Sequence, residues 1–276
     1  MVVNAGDDTA SVEDAVGRRV VQPRLLAASA PGASAARNRG WREASAPLVL
    51  FLGDDILAGP SLLREHVSWH RSYPDQLMGV LGRVRWAREL KVTPFMRWLE
   101  RGLQFDYGAI EGKEADAGHL YTANVSLKRD VLRRSGGFDE GLPYLFEDID
   151  LGRRLSDLGF RLLYNRRAEA EHLHEATLES WKARMRVAAP AERRFVRTHP
   201  GAEARLYERM RRAAAAPPAR GRAARLVRVV PRWVPVLGPI VWSSAEQRWL
   251  QALAPEFLEA WAAAERDAGS ANRASR

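Results

Sequence analysis

Five apolar residues in a row, Leu48-Val49-Leu50-Phe51-Leu52, run into Gly53, Asp54, Asp55 and Ile56. A run with no polar alternation predicts a strand covered on both faces. Before it, Met1-Val2-Val3 is a short apolar start and residues 4–8 read as a turn. A short helix is expected to begin at 11–15 and a brief strand at Val20-Val21. Residues 27–40 are rich in small side chains and predict a helix leading into the strand at Leu48. After it, Pro60 stands near a first helical turn, and Leu62, Leu63, His66 and Val67 follow at helical spacing, which predicts a helix over 60–69. Residues 79–86 alternate like a strand, 94–105 read as helix, and the polar, acidic stretch 110–118 reads as a mobile loop.

The second half is denser in signals. Residues 121–127 predict a strand, and 130–135 a short helix stopped by Gly136-Gly137. Leu151, Leu155 and Leu158 follow one another at i, i+4 and i+7 in a helix stopped by Gly159. A strand over 160–170 then ends in Glu171-His172-Leu173-His174. Strands alternating with helices argue for an α/β fold with a mostly parallel, mixed sheet flanked by helices. Beyond Thr177 a helix is expected at 180–188, a break at Pro217-Pro218, an amphipathic helix at 247–266 and disorder over 267–276. The expected organisation is one α/β domain over 1–190 and a basic, mostly helical extension over 191–276.

Composition sharpens the picture in three places. The chain of 276 residues has no cysteine, which excludes disulfides, thiolate metal sites and a cysteine nucleophile. No apolar run approaches the roughly 18 residues a membrane-spanning helix needs, and no secretory signal opens the chain, so the expected location is the cytoplasm. The net charge of +9 is local: the segment from Arg193 to Arg232 holds 12 arginines against Glu203 and Glu208. Within it, residues 226–242 mix valines, Trp233, Trp242 and three prolines with Arg228 and Arg232. That mixture suits either peripheral contact with an anionic membrane surface, at the inner face, or packing back on the protein.

Candidate chemistry follows the strand ends. In open α/β sheets, ligands bind beyond the carboxyl ends of strands. Asp54 and Asp55 stand at such a point, either as an acidic surface turn or as ligands of a hard divalent cation such as Mg²⁺ or Mn²⁺. Glu147 and Asp148 open a predicted helix, where carboxylates also serve as caps. His66 and His70 are i, i+4 on a helix, a spacing that suits metal, but no third ligand is evident.

Taken in order, Ala36-Arg37-Asn38-Arg39-Gly40, Phe51-Leu52-Gly53-Asp54-Asp55, Ala123-Asn124-Val125-Ser126-Leu127, Gly136-Gly137-Phe138-Asp139-Glu140, Glu147-Asp148-Ile149-Asp150-Leu151 with Arg154-Leu155, and His172 resemble the signature of family 2 glycosyltransferases with the GT-A fold. The resemblance covers about residues 1–186. It implies the GT-A nucleotide-diphospho-sugar transferase fold, a UDP- or GDP-sugar donor, a divalent metal (Mn²⁺ or Mg²⁺), and inversion at the sugar carbon. By it, Asp54, Asp55 and His172 hold the metal, with His174 the nearby alternative to His172. Arg37, Asn38, Asp54, Asp55 and Asn124 contact the donor. Asp148, with Glu147 beside it, is the base that takes the acceptor's proton. The acceptor is a glycan, a lipid-linked sugar or a small molecule, and the absence of a Gln-x-x-Arg-Trp pattern implies transfer of one sugar rather than processive synthesis.

Two departures qualify the resemblance. Many relatives carry Asp where this chain has Gly53, and relatives usually begin with a strand and helix before the segment matching residues 2–8, so open strand edges are expected here. A catalytically impaired relative that only binds is the alternative reading. A basic nucleic-acid-binding protein is another; the arginines, however, form no recognition motif, and basicity alone gives salt-sensitive, non-specific binding.

Overall fold

The computed structural model describes residues 2–4, 23–142, 144–219 and 225–274. The helix expected at 11–15, the strand at Val20-Val21 and all but the start of the turn at 4–8 lie outside the described residues. The described residues divide into two compact units, one within Met1–Leu90 and Phe105–His174, the other within Lys91–Gln104 and Glu175–Arg276.

The first unit is α/β. Strands β1 (Val2–Asn4) and β2 (Leu25–Ala27) form a parallel pair. The larger sheet contains β3 (Leu48–Leu52), β4 (Ile56–Ala58), β5 (Met78–Trp86), β6 (Glu114–Ala115), β7 (Asn124–Lys128) and β8 (Arg161–His172). Its order is β3-β7-β5-β8-β4, with β6 paired to β8. Strand β5 is central, and the sequence says why. Met78 to Gly82 is continuously buried, as a strand covered on both faces requires. From Arg83 the pattern alternates, and Arg83 and Arg85 turn outward to pair with Glu169 and Glu171 of β8.

The expected parallel character is corrected by the pairing. Only β5–β8 is parallel in the larger sheet; β3–β7, β5–β7, β4–β8 and β6–β8 are antiparallel. The helix-bearing excursion after Trp86 returns the chain to the same end of β5 it left. Strand β7 therefore starts beside that end and runs back, with Leu81 opposite Val125 and Gly79 opposite Leu127. The apolar run at Leu48 also differs from expectation. Among the described residues it ends the sheet order with β7 as its one neighbour, so Leu52 is 39% exposed and Phe51 alone of the five is buried. The stretch 110–118 is not a free loop: β6 pairs with β8, and Asp116 caps the turn at Ala117–His119 by accepting from Gly118 N at 2.8 Å.

Helices α1 (Ala33–Glu43), α2 (Leu62–Ser72), α4 (Arg129–Ser135) and α5 (Glu147–Ser156) follow the predicted pattern; α3 (Pro94–Leu99), which ends before the expected 105, belongs to the second unit. The main core joins Phe51, Leu81, Val125 and Leu127 of the sheet to Val131 and Leu132 of α4 and Leu151 and Leu155 of α5. Arg154 fastens α5: it bonds Asp150 at 2.7 Å and donates to the carbonyls of Ser135 and Gly137, each at 2.7 Å.

The second unit is helical. Helix α6 (Leu178–Thr198) runs past its expected end and through Pro190, because Ala188, Ala189, Ala191 and Phe195 keep one face buried on both sides of the proline. Glu192, also buried, accepts from Leu206 N and Tyr207 N at 2.8 Å each and so caps α7 (Arg205–Ala215). Helix α8 (Leu237–Ala274) continues where disorder was expected at 267–274. It lies along α6 and α7, held by Arg186–Glu256 at 2.7 Å, Arg193–Glu265 at 3.1 Å and the Tyr207–Trp261 stack at 4.4 Å. No described helix is long and apolar enough to cross a membrane.

Candidate active site

Three strand ends meet at one point. Ile56, the first residue of β4, and Trp86, the last of β5, are both in register with His172 at the end of β8. The tight turn from β3 to β4, closed by Ile56 N donating to Gly53 O at 3.3 Å, delivers Asp55 to the same place. The Asp55 carboxylate lies 2.9 Å from His172 Nε2. That hydrogen bond holds Asp55 below the ordinary carboxylate range, against the opposing effect of its partial burial. The imidazole is fixed from behind by Trp86, stacked at 5.4 Å, and by Phe105 at 5.9 Å. His174 is also close, with ring centroids 5.8 Å apart.

Gly53 has a steric reason. A Cβ there would stand 2.8 Å from Asp55 Oδ1 and 3.1 Å from Ile56. Any side chain at 53 would push Asp55 away from its present position. The glycine that departs from the family pattern is therefore matched to where Asp55 rests.

The second acidic pair opens α5. The two residues before it, Leu145 and Phe146, both have φ of 63°, a left-handed conformation that costs non-glycine residues on the order of 1–3 kcal/mol each. Strain of this kind persists where the fold must hold a particular geometry. Here it sets Glu147 and Asp148 in the first turn of α5. Glu147 is buried; its Oε1 takes the Arg37 guanidinium at 2.6 Å, and its Oε2 has no hydrogen-bond partner among the described residues. Asp148 accepts from the adjacent Ile149 N at 2.9 Å and from its own backbone N–H, and no side chain caps the helix from the Phe146 position. Burial first, and the Glu147 charge second, push Asp148 up to about 7, with Arg37 opposing. A carboxylate in that range suits proton abstraction near neutral pH.

Aromatic rings connect the two acidic pairs. His172 touches Phe105, Phe105 touches Tyr121 at 5.4 Å, and the Tyr121 hydroxyl feels the Asp148 charge. Tyr121 accepts from Asp106 N at 3.2 Å, which fixes the ring.

The structure brings some predicted residues together and assigns others different work. Asp55 and His172 converge; Asp54 stands exposed, and no three of His, Cys, Asp and Glu converge as metal ligands among the described residues. Glu147 and Asp148 are adjacent, with Arg37 on Glu147 and above the Phe138 ring at 5.5 Å. Asn38 is not available to a donor. It is buried, its amide nitrogen donates to Phe138 O and Glu140, and its oxygen accepts from Phe138 N and Trp41. Asn124 is likewise spent: fully buried, it donates to Ala168 O at 2.8 Å and Arg83 O at 3.3 Å and accepts from His66. Both motif asparagines serve the fold rather than a ligand.

The two histidines of α2 belong to the Asn124 network. Asn124 uses its nitrogen as donor, so His66 Nε2 carries the proton of their 2.9 Å bond. His66 Nδ1 then accepts from Ser126 at 2.8 Å, and Ser126 accepts from His70 Nε2 at 2.9 Å. That leaves only an acceptor lone pair, His70 Nδ1, without a partner. Burial keeps both rings neutral, with His70 pushed down to about 4. The i, i+4 spacing that suits a metal here serves a buried relay of hydrogen bonds. Reasoning from sequence also missed Trp86 and Phe105 behind His172, because the register that sets Trp86 opposite His172 exists only once the strands pair.

A groove of about 1030 Å³ is lined by Arg205, Arg209, Arg212 and Glu246 of the helical unit and by none of the predicted site residues.

Comparison with known proteins shows the family and the fold. The family described as Glycosyltransferase like family 2 matches residues 1–188, and the chain belongs to it. Among curated relatives, Validoxylamine A glucosyltransferase of Streptomyces hygroscopicus subsp. jinggangensis is 27% identical over 210 residues, covering 63% of this chain and 46% of that protein. The Pre-mycofactocin glycosyltransferase of Mycobacterium tuberculosis is 30% identical over 156 residues, covering 55% of this chain and 32% of its own. The chain thus spans less than half the length of these relatives. Among solved structures, the mannosyltransferase PcManGT from Pyrobaculum calidifontis in complex with GDP-Man and Mn²⁺ superposes with a TM-score of 0.57 at 15% identity, over 96% of this chain and 77% of that one. GalNAc-T7 with UDP, GalNAc and Mn²⁺ gives 0.51 at 11% identity, over 78% and 44%. These likenesses establish the GT-A fold.

Proposed function

We propose that this member of the glycosyltransferase-like family 2 moves one sugar from a nucleotide-diphospho-sugar to an acceptor hydroxyl, with inversion at the sugar carbon and with metal assistance. The observation that carries the reading is Asp148. It is a carboxylate with a raised pKa, held in the first turn of α5 behind two left-handed residues, with backbone N–H groups of its own turn as its hydrogen-bond partners. A capping residue needs neither the strain nor the shift.

In the proposed step the acceptor oxygen bonds to the sugar carbon as the bond from that carbon to the diphosphate breaks. The acceptor's proton passes to Asp148. Arg37 neutralises Glu147 and so keeps two adjacent carboxylates compatible. Asp55, with its half-exposed carboxylate, and His172 are the residues that would hold a divalent ion, and Gly53 leaves Asp55 the room to do so. Two protein ligands suit an ion whose remaining positions are filled by diphosphate oxygens and water. When bound, it would neutralise the charge that builds on the departing diphosphate. The solved neighbours crystallised with UDP or GDP-Man and Mn²⁺ support that donor class by analogy of fold. The acceptor is a glycan, a lipid-linked sugar or a small molecule, and the proposed location is the cytoplasm.

The test is release of nucleoside diphosphate from UDP- and GDP-sugars with Mn²⁺, followed against pH. The active form carries ionised Asp148, so the rate rises with pH through about 7. Glu147→Gln removes the neighbouring charge that raises Asp148, so the rise moves to lower pH. A profile flat between pH 5 and 8, or one unmoved by Glu147→Gln, contradicts the assignment.

A further inference from the structure

The helical unit carries an apolar surface that the transfer reaction does not use. Between the 3₁₀ turn Leu226–Arg228 and the first turns of α8, Val229 is 73% exposed, Trp233 81% and Val236 74%. Leu226, Leu237 and Ile240 continue the patch, each about half exposed. Elsewhere among the described residues large apolar side chains surface singly or in smaller groups, so the concentration here is a feature of this segment.

The segment is not a loose strand of chain. Val229 N and Val230 N both donate to Leu226 O, at 2.9 and 2.8 Å. Val234 N donates to Pro231 O at 3.2 Å, and Gly238 N to Val234 O at 2.9 Å. Trp242, itself buried, ties the knuckle to α8 by donating to Val230 O at 3.1 Å. With those groups already bonded internally, the apolar side chains are held outward and little further ordering is needed for them to enter an apolar phase.

Charge says what that phase is. Arg225, Arg228 and Arg232 flank the patch and are all exposed. Arg232 shares Glu246 with Arg101, at 3.1 and 2.6 Å, whereas no ion pair holds Arg225 or Arg228 among the described residues. A protein partner with an apolar face would not by itself need the arginines. An anionic bilayer uses both parts: the arginines meet lipid phosphates, and the tryptophan and valines enter the boundary between headgroups and acyl chains. We propose that the surface made by Leu226, Val229, Trp233, Val236, Leu237 and Ile240 docks this protein on the surface of an anionic phospholipid membrane, without spanning it.

The proposal is independent of catalysis and is tested without it. The full chain is sedimented with vesicles of phosphatidylcholine containing phosphatidylglycerol, and with vesicles of phosphatidylcholine alone. Binding to the anionic vesicles that weakens as salt rises is expected. Trp233→Ser weakens it by about tenfold or more, since that side chain's contact is wholly with lipid. Arg225→Gln and Arg228→Gln each weaken it by about fivefold. All three side chains are exposed, so unfolding is not the expected cause, and unchanged melting temperatures check this. A wild-type protein that stays in solution with both vesicles overturns the proposal. So does equal binding by Trp233→Ser, or equal binding to neutral vesicles. Sedimentation velocity covers the remaining occupant: a dimer that Trp233→Ser dissociates, without vesicle binding, would assign the patch to a second copy of the chain instead.

Discussion

Asp148→Asn is expected to lower the transfer rate by about 10²–10⁴-fold while leaving nucleotide affinity unchanged. The amide keeps the shape of the carboxylate but cannot take the acceptor's proton. The same change should not cost stability. In the folded protein Asp148 is disfavoured as an anion by burial and by Glu147, so a neutral isostere removes a penalty rather than a bond. Rate, affinity and melting temperature together separate this from a structural role. A helix cap replaced by Asn would lose little of anything, and a buried structural carboxylate would lose stability first. Activity retained to within about tenfold would remove Asp148 from the mechanism. Glu147→Gln with the larger loss would move the role to its neighbour.

The second large effect is on folding. Gly82→Ala is expected to destabilise the protein by about 3 kcal/mol, at the upper end of the usual cost of overpacking. Gly82 lies on the central strand, where the register between β5 and β8 shifts at Gly82/Arg83. The Asn124 side chain crosses directly over it to reach Ala168 O. An added Cβ would stand 2.5 Å from that carbonyl and closer still to the Asn124 amide. One of these must move, and neither is the free end of a flexible chain. Moving Asn124 also unseats the relay through His66, Ser126 and His70, all buried, and leaves their polar groups unpaired. The urea midpoint of unfolding measures the loss. A decrease equivalent to less than about 0.5 kcal/mol would mean that Asn124 is not held as described.

These two residues also show what the sequence could reveal. Asp148 was singled out because an ordered series of short motifs resembles a family signature that puts the base there, and the structure adds its raised pKa and its place behind two left-handed residues. Asn38 and Asn124 stood in the same motifs and were read as donor contacts. What distinguishes them is burial, with every polar atom already matched inside the protein, and residue type says nothing about that. His66 and His70 gave a true spacing signal, but spacing cannot tell a metal pair from a pair bonded to Ser126.

The α/β class and most elements of the first unit follow from apolar runs and glycine stops. Strand direction did not, because alternating strands and helices look the same whether an excursion ends where it began or at the opposite edge. The length of α8 was hidden for a related reason. The stretch before 267 is paired with α6 and α7 by contacts far apart in sequence, such as Arg193–Glu265, and the helix runs on from it. The metal reading stands on Asp55 and His172, since the third expected ligand, Asp54, points to solvent and adds nothing to their pair.

Calorimetric binding of UDP and of GDP, with and without Mn²⁺, to the wild type and to Asp55→Ala tests the central claim most directly. One of the nucleotides is expected to bind the wild type in the presence of Mn²⁺. Its affinity should fall by at least about tenfold when either the metal or the Asp55 carboxylate is removed. Binding as tight without metal and in Asp55→Ala, or no binding of either nucleotide at all, would contradict it.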